Sequence, residues 1–97
     1  MDKYNNLYEK LEKLKKEVDS AIAQIEDEYV KDYLKKYENN IIRLMDMTNS
    51  KSIKASNGGL LGVLRAISEY DDLSAIDLLY NAAYDVENYY SYECKNF

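Results

Sequence analysis

The sequence has no histidine, no proline and no tryptophan, one cysteine and three glycines. Each shortage excludes something. Without histidine no side chain has an ordinary pKa suited to proton transfer near neutrality, and the lone Cys94 has no imidazole to activate it. Zinc sites of the usual Cys/His kind are excluded by the same inventory, and a single thiol excludes an internal disulfide. An unpaired thiol and a charged stretch over residues 1–20, with no apolar core of the kind a secretory leader needs, set a cytoplasmic location as the expectation. No apolar run approaches the roughly 20 residues that cross a bilayer, so no membrane association is expected. With no proline, and with glycine confined to Gly58, Gly59 and Gly62, turn punctuation is nearly missing and helix becomes the default.

What the chain does contain is charge, unevenly placed. Its 97 residues make a single domain over 1–97, in the lower part of the size range that one apolar core can sustain. The net charge is -5, yet residues 1–65 carry 12 basic and 11 acidic groups whereas residues 66–97 carry seven acids against Lys95 alone. Direct nucleic-acid binding by the C-terminal part is thereby disfavoured, because that interaction depends on Lys and Arg neutralising phosphates. A basic partner is favoured instead. The abundance of Lys, Asn, Ile and Tyr is what AT-rich codons produce, which points to a low-GC bacterium or its phage.

Apolar periodicity sets the elements. Tyr4, Leu7, Leu11, Leu14, Val18, Ala21 and Ile25 recur in alternating steps of three and four, one stripe of an amphipathic helix. Continuing that register would turn Glu28 and Asp32 toward the core, which is costly for unpaired carboxylates. The stripe restarts at Val30, Leu34, Tyr37, Ile41, Leu44 and Thr48, and Asp27 is placed to cap a second helix. A single helix over 3–48 is the alternative. TNSKSIKASNGG, residues 48–59, reads as a loop. Leu60, Leu61, Val63, Leu64 and Ile67 then form a short central helix, and Asp71 or Asp72 caps the last one. The expected fold is an all-α, small compact bundle of four helices near 3–25, 28–48, 59–70 and 73–94, either monomeric or a homodimer through the apolar seam of the first.

Three features bear on function. The acid pairs Glu9/Glu12, Glu26/Glu28/Asp32 and Glu69/Asp72 have the helical spacing with which all-α nucleotide hydrolases hold magnesium, although acids among lysines are far more often a solvated surface. Lys51, Lys54, Ser56, Asn57, Gly58 and Gly59 precede a helix start, a weak anion-binding pattern in which Ser56 or Asn57 also serves as a cap. Lastly, the stretch YNAAYDVENYYSYECKNF, residues 80–97, crowds five tyrosines into an acidic segment.

Drawn on a helix at 100° per residue, Ile76, Leu79, Ala83, Val86, Tyr90 and Cys94 fall in one arc about 80° wide, the core side. Asp77, Asn81, Tyr84, Asp85, Asn88 and Tyr92 fall in an opposite arc about 100° wide, with Tyr80 and Tyr89 at the boundary. Tyrosine is enriched and lysine depleted at protein interfaces. Asp77, Tyr80, Asn81, Tyr84, Asp85, Asn88 and Tyr92 are therefore the expected partner-binding residues, with no catalytic residue, metal ligand or cofactor implied. The expected function is a small non-enzymatic inhibitor from a phage or mobile element, of anti-defence or anti-CRISPR type, bound to a larger basic, nucleic-acid-binding protein. Alternatives are the magnesium-dependent hydrolase, a bacteriocin-type immunity protein and a structural helical subunit.

Overall fold

The computed structural model describes residues 2–97. Asp2 opens the first helix, α1 (Lys3–Gln24), by accepting a 2.9 Å hydrogen bond from Tyr4 N–H. Leu7, Leu11, Leu14, Val18 and Ala21 on its stripe are buried. The helix stops without glycine or proline: Ile25 turns extended while its N–H still donates to Ala21 O, and Asp27 restarts the chain by accepting from Tyr29 and Val30 N–H. The single-helix alternative over 3–48 is excluded by this break. The second helix, α2 (Glu28–Asn49), buries Val30, Leu34, Tyr37, Ile41, Leu44, Met45 and Thr48, the restarted stripe plus one methionine.

Beyond α2 the expected bounds shift. Residues 60–62 lie outside the third helix, α3 (Val63–Ser68), because Gly62 adopts a left-handed φ of +89° and turns the chain just ahead of it. Of the expected central apolar group only Val63 and Ile67 are buried. Asp71 and Asp72 cap nothing: they sit inside a separate four-residue helix, α4 (Asp71–Ser74), and the last helix, α5 (Asp77–Glu93), starts later than expected. Leu73, fully buried, and Tyr70, whose ring lies 4.5 Å from that of Tyr33, hold α4 as a distinct turn.

Both α2 and α5 pack on α1, and α3 packs on α5 with α4 against both of them. Polar contacts fix the directions. Lys10–Asp85 (2.9 Å), Asn6–Tyr89 (3.3 Å) and Lys3–Asn96 (3.4 Å) pair ascending numbers on α1 with descending numbers on the C-terminal part, so α5 runs antiparallel to α1. Tyr4 and Phe97 stack at 4.1 Å, bringing the two ends of the described chain together. From α2, the Tyr33 and Tyr37 hydroxyls donate to Ala66 O and Val63 O at 2.7 and 2.8 Å and tie down α3. Desolvation pushes both phenols above the ordinary tyrosine value, keeping them protonated as donors. The result is an all-α helical bundle, 40 × 21 × 18 Å, around one apolar core. Among the described residues no helix is long and apolar enough to cross a membrane.

The apolar seam of α1 is consumed inside this bundle, since Leu7, Leu11, Leu14 and Val18 are all 0% exposed.

Candidate partner-binding face

The outer side of α5 is what the wheel predicts. Asp77, Asn81, Tyr84, Asp85, Asn88 and Tyr92 are exposed, while Leu79, Ala83, Val86, Tyr90 and Cys94 are buried. Tyr80 is partly buried and packs on the core edge. Tyr84 and Tyr92 are 53% and 65% exposed, Tyr92 with Lys95 Nζ 5.8 Å from its ring centre, and Tyr29 on α2 is more exposed still. The helix carries four acids and no base. They do not act alike. Asp85 is bound to Lys10 at 2.9 Å, whereas Asp77 and Glu93 pair with no Lys or Arg among the described residues.

Glu87 departs furthest from its place in the charge count. It is 5% exposed, and its carboxylate accepts from the N–H groups of Leu61 (2.7 Å), Gly62 (2.9 Å) and Leu64 (3.3 Å). These are the free amides at the start of a helix, the groups an anion would seek. An anion of the chain itself already holds them. The anion-binding loop expected from Lys51, Lys54, Ser56, Asn57 and Gly58 therefore lacks its amides. Around it Lys51 Nζ lies 5.7 Å from the Tyr4 ring centre, the backbone carbonyl of Lys54 accepts from Tyr90 Oη, and Ser56 Oγ donates to Ser91 O. Neither Ser56 nor Asn57 caps α3.

Leu60 and Leu78, 70% and 69% exposed, are site features that the sequence reading missed. The apolar run from Leu60 to Ile67 predicts an interior Leu60, yet Leu60 lies ahead of the left-handed turn at Gly62 and outside α3. For Leu78 a signal existed, because the wheel sets it outside the core arc. Leu60 and Leu64 face Tyr84, Asn88 and Tyr92 across a hollow of about 190 Å³ whose floor is Glu87 and Ser91.

The carboxylate pairs read as a magnesium motif lie on exposed surfaces. Glu69 pairs with Arg65, Asp32 with Lys36 and Glu28 with Lys31, and no three Cys, Asp or Glu side chains converge as a metal site among the described residues. Cys94 is fully buried, and burial pushes its thiol up from the ordinary value. The chain matches no protein-family model, no curated protein and no solved structure.

Proposed function

We propose that this chain is a small acidic, non-enzymatic protein that binds a larger basic protein through the outer face of α5. One observation carries the reading: a helix with four acids and no base turns Tyr84, Tyr92, Asn81, Asn88 and Asp77 to solvent on one side. Large rigid rings with polar tips supply contact area at low entropic cost, and the excess of acids on α5, of which Lys10 meets only Asp85 and Lys95 Nζ lies 5.8 Å from the Tyr92 ring centre, favours a cationic counterpart. Such a partner is an inhibitor if the surface it covers is one that nucleic acid would otherwise occupy. A phage or mobile-element inhibitor of a nucleic-acid-guided defence enzyme, as anti-CRISPR proteins are, is the sharpest form of this reading.

The test uses the proteins of a bacterial lysate that heparin-agarose retains, a fraction rich in cationic grooves. The immobilised chain should hold a member of that fraction, and affinity should fall as salt rises. Asp77→Asn with Asp85→Asn should weaken the interaction about fivefold to tenfold and flatten its salt dependence, with the circular dichroism spectrum unchanged. Glu87 is left intact in this variant because it serves the fold. Retention that ignores both substitutions would remove the electrostatic basis of the proposal.

A further inference from the structure

The hollow beside α5 narrows what the partner must offer. Leu60, Tyr84 and Tyr92 are each more than half exposed, and with Leu64 and Asn88 they surround one depression of about 190 Å³. The volume lies below the roughly 300–1,000 Å³ of pockets that enclose small-molecule ligands. It is the size of a seat for one side chain.

That seat is built before any partner arrives. Glu87 fastens Leu61, Gly62 and Leu64 to α5 through its carboxylate. Ser91 Oγ donates to Gly58 O at 3.3 Å, and Ser56 N–H donates to Cys94 O at 2.8 Å. The segment bearing Leu60 is thus sewn to the helix bearing Tyr84 and Tyr92, and the entropy of ordering the two walls is already spent in folding.

Charge decides between occupants. A second copy using the same face would bring the acids of two α5 helices together, since a two-fold contact pairs each patch with itself. Nucleic acid is repelled by residues 66–97, with seven acids and one base. A cationic protein segment meets the reverse balance, seven acids against Lys95 alone, whose Nζ lies 5.8 Å from the Tyr92 ring centre. Asp77 lies seven residues before Tyr84 on the same face, about 10 Å along the axis at 1.5 Å per residue, so a helix anchored in the seat has an unpaired carboxylate two turns away.

We infer that the groove between α5 and residues 58–64 is the anchor site for one aliphatic or aromatic side chain on a Lys/Arg-bearing amphipathic segment of a partner protein. This rests on α5 being the binding face and adds the requirement for an apolar anchor. The groove supplies affinity by desolvating that side chain, as interface hot spots do, and the acids set the orientation.

Three synthetic peptides of equal length test it by NMR titration of the full chain: an amphipathic Leu/Lys helix, the same peptide with Ser for Leu, and the same peptide with Glu for Lys. The Leu/Lys peptide should shift the Leu60 and Leu64 methyl signals and bind about tenfold more tightly than the Ser/Lys peptide. Leu60→Ser with Tyr84→Ala, both at exposed positions, should erase that difference without loss of helicity. Equal binding of the Leu/Lys and Ser/Lys peptides would overturn the anchor groove and leave the acidic face standing. Equal binding of the Leu/Glu peptide would overturn the cationic partner. Groove signals that move with protein concentration alone would name a second copy as occupant and overturn the inference, and the absence of any binding would sink it together with the reading of α5.

Discussion

Glu87 shows how far one side chain can stand from its place in a composition count. A buried carboxylate is costly unless it is hydrogen-bonded, and here three amide donors from Leu61, Gly62 and Leu64 offset that cost with charge-assisted bonds. It replaces the cap that Gly62 has no side chain to provide. Glu87→Gln puts an amide –NH₂ against at least one of those donors and should cost about 2–3 kcal/mol. In a domain of this size that corresponds to a fall of roughly 8–16 °C in Tm, readable by a thermal melt. Amide exchange at Leu61, Gly62 and Leu64 should accelerate together; unchanged exchange there would show that the carboxylate is a bystander.

Between elements, the α1–α2 contact holds a second carboxylate of interest. Glu38 lies beside Asp19, and the neighbouring carboxylate together with partial burial pushes its pKa up from the ordinary value. Asp19, held down by its neighbours Glu38 and Lys15, accepts a hydrogen bond from Lys15 Nζ at 3.2 Å. Glu38 Oε2 is buried with no hydrogen-bond partner, a position that a carboxylic-acid proton makes comfortable and a second negative charge does not. Because the folded state binds the Glu38 proton more tightly than the unfolded chain, its contribution to stability is full below the ordinary glutamate value. It is lost as pH rises through the raised one. Asp19 acts in the other direction, contributing above the ordinary aspartate value and losing that contribution as pH falls through its depressed one. Glu38→Gln should accordingly raise Tm by a few degrees at pH 7, with the gain shrinking as pH approaches 4; a gain independent of pH would mean that like-charge repulsion is not its source.

The same pair of elements shows what was legible beforehand. Both stripes and the candidate cap at Asp27 follow from spacing, because each depends on neighbours within one turn, whereas the break after Ile25 carries no glycine or proline and leaves a single helix over 3–48 open until the fold is seen. On α5 the separation of buried Val86 and Tyr90 from exposed Tyr84 and Tyr92 was readable for the same reason. The region from Gly58 to Ile76 was not. Its helix start is capped by a residue 23 to 26 positions away, and its carbonyls are met by tyrosines of α2. The groove wall formed by Leu60 belongs to that region, so the candidate face was half visible: its helical side in the pattern, its loop side only in the fold.

At the scale of the whole molecule α1 is the keystone, since α2 and α5 meet the core through it. Leu11 is 0% exposed at its centre, and Leu11→Ala should cost about 2–5 kcal/mol. Against the roughly 5–15 kcal/mol of a typical domain, that brings the chain within reach of global unfolding. Melts at two widely spaced protein concentrations check whether the seam is private to one chain: Tm should be the same at both, for the wild type and the variant alike. A Tm rising with concentration would mean that a second copy shares the stripe.

The stacked rings of Tyr4 and Phe97 bear on how the backbone could be rejoined. Within residues 2–97 the first turn of α1 touches Phe97, so a short glycine bridge can join these two segments and the backbone can be cut again in the exposed connector at Glu26. Such a circular permutant would begin at α2 and end at α1, keeping every tertiary contact while removing the covalent hairpin between its two longest helices.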